Sequence, residues 1–276
     1  MLKLGEKQTL RIFKMKEFGV YLGEDKEQEP VLLPKKQVPP GSSVGDPIEV
    51  FIYRDSSDRL IATTNEPKVT LGQVEVLTVK DVSKIGAFLD WGLEKDLFLP
   101  YKEQTEKVRP GCSYPVALYI DKSHRLCATM RLYEYLKAEA PYKKDDRVSG
   151  SIYQINEEFG AFVAVDNQYH GLIPAKEVHR KFKMGETVEA RVTAVREDGK
   201  LELSVNQRKE IQMDLDSEKI MNLLDSYDGV LPFTEKASPE VIERELGLSK
   251  AAFKRAVGRL LKGKKIEIDN GKIKKL

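Results

Sequence analysis

The sequence is short of the residues on which most enzyme chemistry rests. It has two cysteines, Cys112 and Cys127, and three histidines in 276 residues. Two thiols exclude a disulfide framework, and without a paired C-x-x-C or matching histidines they make a poor zinc site. Both are expected to be reduced and partly buried. No G-x-x-x-x-G-K-[ST] loop, H-E-x-x-H helix or G-x-S-x-G elbow occurs, so the common phosphate-binding, zinc-hydrolase and serine-hydrolase readings lack a motif. The acidic pairs Asp145-Asp146 and Glu157-Glu158 read as solvated turns, not metal ligands. The expectation is a protein without catalytic residues, metal or cofactor.

Long apolar runs are missing too: nothing approaches the roughly 18 residues needed to span a bilayer. The opening Met-Leu-Lys-Leu-Gly-Glu-Lys-Gln has no apolar stretch of the secretory kind, so a reducing cytoplasm and no membrane partner are expected. Charge of one sign is lacking overall, with 46 Lys and Arg against 44 Asp and Glu. Its distribution is uneven. From Gly247 to Leu276 ten basic residues stand against Glu267 and Asp269, a local excess of eight. With 41% hydrophobic and 33% charged residues, the composition is that of folded, well-solvated domains.

What the sequence does have is internal repetition. Phe18-Gly19-Val20-Tyr21-Leu22, Ile85-Gly86-Ala87-Phe88-Leu89 and Phe159-Gly160-Ala161-Phe162-Val163 share one pattern: apolar, Gly, small or β-branched, aromatic, apolar. Leu32-Leu33-Pro34, Phe98-Leu99-Pro100 and Leu172-Ile173-Pro174 place their prolines 15, 14 and 14 residues after the glycine. A turn glycine follows at Gly45, Gly111 or Gly185. A last strand then opens on Arg59, Arg125 or Lys200. Five short strands in about 65 residues, three times over, indicate small closed barrels.

The third repeat, Val148-Ser149-Gly150-Ser151-Ile152 through Leu203-Ser204-Val205, resembles the RNA-binding repeat of ribosomal protein S-one, an oligonucleotide-binding barrel. With Leu231-Pro232-Phe233-Thr234-Glu235-Lys236-Ala237-Ser238-Pro239-Glu240 near the C-terminus, the order of domains resembles the bacterial CvfB (conserved virulence factor B) family over essentially the whole chain. That resemblance implies RNA binding and post-transcriptional control of gene expression, including virulence factors. One departure stands out. The ribosomal repeat usually has a histidine after its Gly-Leu-Val, and here Pro34, Pro100 and Pro174 take that position.

Strand alternation places the candidate contacts. Ala161, Val163 and Val165 are predicted to face the core and Phe162 to face outward, as do Tyr21 and Phe88. Outward aromatics on such a barrel are stacking platforms for bases. Phe18 and Phe159 precede the glycine, where the resemblance implies a second stacked base; Ile85 stands there in the middle repeat, which points to weak binding or a spacer. Trp91 falls on the inner side or at a rim. Arg191 alternates against Ala190 and Val192 and is placed to reach phosphate or stack on a base. His170 is read in the turn before Gly171, near an exposed base, with His179 further along the same repeat.

The C-terminal region reads as three helices and a hairpin. Ile220, Leu223, Leu224 and Tyr227 follow Asp216 at helical spacing and end at Gly229. Ser238 as N-cap, Pro239 at the first position and Gly247 as stop delimit a second helix. Ser249 caps a third, whose Phe253, Ala256, Val257, Leu260 and Leu261 make one apolar face. Asp269-Asn270-Gly271 turns a hairpin. The segment between Tyr135 and Asp145 reads as a helix or hinge.

The fold class predicted is therefore mainly β with α: three tandem five-stranded OB-fold barrels (residues 1–66, 67–134 and 143–209) followed by a winged helix (213–276). Its basic contacts are expected at Lys250, Lys254, Arg255, Arg259, Lys272 and Lys274, salt-sensitive through counterion release. Single-stranded RNA is the expected partner. The rivals are a DNA-binding regulator acting through the winged helix and a scaffold for the ribosome or RNA-processing and RNA-degradation proteins.

Overall fold

Inward rows of Leu, Ile, Val and Ala close each repeat into a five-stranded barrel. A computed structural model of the chain describes residues 2–23, 30–178, 180–206, 209–234, 236–269 and 271–276. The first barrel comprises β1 (Lys7–Lys16), β2 (Gly19–Gly23), β3 (Val31–Pro34), β4 (Pro47–Arg54) and β5 (Leu60–Thr63). The second has β6 (Val74–Val82), β7 (Gly86–Asp90), β8 (Leu97–Pro100), β9 (Ser113–Ile120) and β10 (Leu126–Thr129). The third has β11 (Arg147–Asn156), β12 (Gly160–Val165), β13 (Tyr169–Pro174), β14 (Thr187–Val195) and β15 (Leu201–Ser204). In every barrel the neighbours run first, second, third, fifth, fourth and back to the first, the order of an oligonucleotide-binding barrel. Closure leaves no free sheet edge.

The repeated glycine is a backbone requirement. A Cβ on Gly19, Gly86 or Gly160 would stand 2.3, 2.4 or 2.0 Å from the carbonyl oxygen of Leu33, Leu99 or Ile173. Each glycine faces the proline of the next strand, Pro34, Pro100 or Pro174. The first strand of each barrel carries a bulge two rungs on, at Phe13, Lys80 and Tyr153, which bends that strand around the barrel. Alternation then holds as predicted: Ala161, Val163 and Val165 are buried, with Phe162 on the opposite side.

The three barrels form one unit, Met1–Val205, because their outer faces dock. Phe51 and Tyr53 leave the outside of β4 and meet Trp91 edge-on at 5.8 and 6.3 Å. The Trp91 indole donates to the Lys95 carbonyl at 2.6 Å, so no polar atom of the ring is lost to burial. Trp91 is thus the pin between barrels one and two and shares a core cluster with both. Between barrels two and three, Val74, Ala117, Leu132 and Leu136 bury against Tyr153 and Ala164.

The connecting segment is neither helix nor hinge. After a single 3₁₀ turn, Tyr133–Tyr135, Lys137 exchanges backbone hydrogen bonds with the third barrel, its N–H to Gln168 and its carbonyl from His170. Tyr142 follows and donates to the Asp166 carboxylate.

The second unit, Asn206–Leu276, is a winged helix. It contains α1 (Lys209–Ser226), β16 (Val230–Leu231), α2 (Pro239–Leu246), α3 (Lys250–Lys262), β17 (Ile266–Asp269) and β18 (Lys272–Lys275). The short β16 joins the hairpin to make a three-stranded sheet in the order β16-β18-β17. Ile220, Leu224, Leu231, Ile242, Phe253, Leu260 and Ile273 share its core. Gly247 ends α2 in a left-handed conformation at φ 62°, and the Ser249 hydroxyl accepts from the Ala252 N–H to start α3. Ser238 caps α2 by position without a side-chain hydrogen bond. α1 starts earlier than the apolar spacing suggested, since Ile211, Met213 and Leu215 are two apart and carry no helical period. Asn270 of the hairpin turn lies outside the described residues. No helix among the described residues is long and apolar enough to cross a membrane.

Trp91→Ala is expected to cost about 3 to 5 kcal/mol, the usual loss for a large aromatic removed from a packed interior. Urea unfolding followed by circular dichroism measures it, and a loss under about 1 kcal/mol would contradict the pinning role.

Candidate nucleic-acid interface

Strand register aligns the outer face of each barrel residue by residue. In the first barrel a row runs Lys14, Tyr21, Leu32, Ile61. In the second it runs Asp81, Phe88, Phe98, Cys127, and in the third Gln154, Phe162, Leu172, Glu202. One architecture therefore presents three electrostatically different surfaces.

The first barrel presents the open one. Phe18 is 56% exposed and meets Tyr21 edge-to-face at 6.2 Å, leaving ring surface free for stacking. The Lys35 N–H donates to the Phe18 carbonyl at 3.0 Å, which brings the turn Lys35–Gln37 beside the ring. Lys14, Lys16, Lys35 and Lys36 are all exposed around it, with Glu17 the acidic residue of the hairpin. Arg11 is occupied by the Gly45 carbonyl at 3.0 Å.

On the second barrel two of the cations are paired. Lys68 holds Asp90 at 2.6 Å and Lys80 holds Asp96 at 2.7 Å, Asp81 is exposed, and Phe88 packs on Phe98 at 5.5 Å. Its hairpin offers Ile85, 67% exposed, where the others have phenylalanine. Such a surface lacks the second stacking ring.

The third barrel is divided. Phe159 is exposed at the hairpin, but Phe162 is half-buried against Tyr153 at 6.1 Å and joins the cluster between barrels two and three. Arg191 pairs with Ser204 across the sheet just as Phe51 pairs with Thr63 and Ala117 with Thr129. It therefore occupies the docking position of its barrel, and its Nη1 donates to Asp145 at 3.0 Å.

In the winged helix, Lys250, Lys254 and Arg255 are exposed on α3 with Arg259 on the adjoining surface, while Phe253, Ala256, Val257 and Leu260 are buried. Lys272 is exposed on β18. Lys274 is engaged by Asp269 at 2.6 Å, an attraction that lowers the carboxyl pKa and raises that of the amine.

Residues 218–274 match the CvfB-like winged helix domain. Residues 4–65 and 71–131 match the S1 domain, and residues 142–206 the S1 RNA binding domain. The chain is 30% identical over 280 residues to protein YitL of Bacillus subtilis (strain 168), covering 97% of this chain and 92% of that one. It is also 30% identical over 239 residues to conserved virulence factor B of Staphylococcus aureus (strain N315), covering 83% of this chain and 79% of that one. The chain belongs to the CvfB family. A crystal structure of a multidomain protein with nucleic acid binding domains from Streptococcus pneumoniae TIGR4 shares the fold, with TM-score 0.53 and 25% identity over 99% of this chain and 98% of that one. This chain thus combines S1 nucleic-acid-binding barrels with a CvfB-like winged helix.

Within this CvfB-family chain one expectation from sequence needs correction. His170 is not in a turn: it lies on β13, 7% exposed, with its ring 4.7 Å from Tyr133. The residues that cover it come from the connecting segment, which the repeat pattern does not register. Arg191 faces outward and is paired with Asp145. Lys200, the landmark just before β15, donates to the hydroxyl of Tyr133, the ring that packs on His170, at 2.9 Å. His179 lies outside the described residues. Cys112 is exposed and Cys127 buried, both as free thiols, and burial raises the Cys127 pKa to about 11.

Burial first, then the nearby Lys200 ammonium, lowers the pKa of His170 below its ordinary 6.5. The unfolded chain therefore takes up the proton first as pH falls. Stability from this group is complete above about pH 6.5 and drains away as pH drops toward the folded value. Thermal melts between about pH 7.5 and 5 are expected to fall more steeply for the natural chain than for His170→Gln; equal slopes would refute the buried neutral imidazole.

Proposed function

We propose that this chain is an RNA-binding regulator that holds single-stranded RNA on the outer faces of its S1 barrels and adds electrostatic grip through α3 of the winged helix. The observation that carries this reading is the exposed Phe18 ring, set against half-buried Tyr21, with Lys14, Lys16 and Lys35 exposed on the same barrel. Free ring surface beside exposed cations is what sequence-tolerant binding of a single strand requires, since bases stack on any aromatic face and phosphates follow the charge. Phe159 gives the third barrel a second platform, Phe88 contributes less, and the middle barrel serves as spacer. The four working parts are residues 1–66, 67–134, 143–209 and 213–276, acting in the cytoplasm. The name of the Staphylococcus aureus relative, conserved virulence factor B, supports control of virulence-factor expression, exerted after transcription.

A second reading has one observation in its favour. An exposed, basic α3 in a winged helix is the element that enters a major groove in DNA-binding members of that fold class. Fluorescence anisotropy with labelled single-stranded RNA, single-stranded DNA and duplex DNA across a salt series separates the two. Preference for single-stranded RNA is expected, and preference for duplex DNA would move the function to α3. Failure to bind any of the three would leave a ribosome or RNA-processing scaffold.

Phe18→Ala is expected to weaken RNA binding by roughly 1 to 3 kcal/mol with an unchanged melting temperature. Retained affinity would remove the first barrel from the interface. Reversing charge at Lys254 and Arg255 together is expected to reduce the salt slope by about one to two. A slope equal to that of the natural chain would show that α3 does not touch phosphate.

A further inference from the structure

The third barrel ends in a cavity of about 420 Å³ between its β11–β12 hairpin and the loop that leaves β13. This is within the size range of small-molecule sites. Its walls are apolar: Ile155, Ala161, Ala175, Val178 and Phe182. Its rim is polar and mixed. Asn156 uses its Oδ1 to accept from the N–H groups of Glu158 and Phe159, so its amide nitrogen remains as a donor. Arg180 lies 4.4 Å over the Phe182 ring and is held by Glu186 at 2.6 Å. Lys181 adds a second cation and Glu157 an acceptor.

We infer that this cavity is a subsite for a single nucleobase, unstacked from a strand whose neighbouring base rests on Phe159. The source of the base rests on the RNA-binding reading above; the chemistry of the cavity does not. A nucleobase has two apolar faces and an edge that carries donors and acceptors together, which is what apolar walls and a rim of amide, guanidinium, ammonium and carboxylate complement. A compact anion fits poorly, because Glu186 already offsets Arg180 and Glu157 stands at the same rim. Phe159, 56% exposed, precedes Gly160 of the cavity lining, so a stacked base and an inserted base are neighbours along one strand.

The other barrels do not repeat this set. All three loops run 11 residues from proline to turn glycine, from Pro34, Pro100 and Pro174 to Gly45, Gly111 and Gly185. Position by position, Val178, Arg180, Lys181 and Phe182 become Val38, Pro40, Gly41 and Ser42 in the first barrel. In the second they become Gln104, Glu106, Lys107 and Val108. The third barrel's combination of Val178, Arg180 and Phe182 is thus not repeated, although the second keeps a cation at Lys107 and has Tyr101 in place of Ala175.

Two measurements on the full-length chain test this. Saturation-transfer NMR with the four free ribonucleosides is expected to show transfer to at least one base, lost in Val178→Phe, which fills the cavity. Binding of a short single-stranded RNA with one abasic position walked along it is expected to drop about tenfold at one step. Val178→Phe is expected to lose the same factor with the intact strand and to become indifferent to that step. Lys181→Glu, at an exposed position, is expected to give a smaller loss and carries the comparison if the filled variant melts early. Equal nucleoside transfer in the natural chain and Val178→Phe, or none in either, overturns the subsite whatever the affinity for RNA. Nucleoside uptake without strand binding upholds the subsite and removes the RNA-binding reading instead.

Discussion

Everything on the barrel surfaces depends on the close backbone approach at the start of each second strand. Only glycine lets that strand come against the carbonyl of the next, and the contact fixes which residues face each other across the ladder. From there the alternation has no freedom: the aromatic two positions on is outside and the aliphatic residue after it is inside. A slip of one residue would exchange core and surface along the whole strand. The function proposed for Phe18 and Tyr21 is thus set by a constraint in which neither side chain takes part.

The same outer surface is asked to do two things. It joins barrels to one another and it offers rings to bases, and an aromatic side chain suits both tasks because it buries a large area and keeps a usable face. Phe51, Tyr53 and Trp91 have gone wholly to docking. Phe18 and Phe159 have stayed open. Phe162 lies between, which is why the barrel with the strongest sequence likeness to an RNA-binding repeat is not the one with the most accessible platform. Electrostatics differs as well: Lys14, Lys16, Lys35 and Lys36 on the first barrel are exposed, while Lys68 and Lys80 on the second are held by Asp90 and Asp96.

The features legible in the sequence were those with a local period. Three repeats, their inward and outward rows, the stop at Gly247 and the cap at Ser249 all follow from spacing over a few residues. Features that depend on segments brought together from a distance were not legible. Trp91 looked like a core or rim residue and is an inter-barrel pin, because nothing near it in sequence announces Phe51. His170 looked like a turn residue because the connecting segment that covers it breaks the repeat pattern. Arg191 showed its outward position correctly and gave no sign of Asp145, 46 residues away. The two-residue strand β16 is too short to carry any period.

The docking row has a further consequence at its far end. Surfaces that join head to tail do not close on themselves, and repetition of the same contact by successive molecules would build a filament. The first two barrels present Phe51 and Ala117 at this position, groups that lose nothing when water leaves. The third presents a guanidinium already matched to a carboxylate, and covering it with another barrel would strip both charges of solvent. That position of the third barrel thus carries an ion pair where the first two carry apolar groups, and a charge pair is the costlier group to bury.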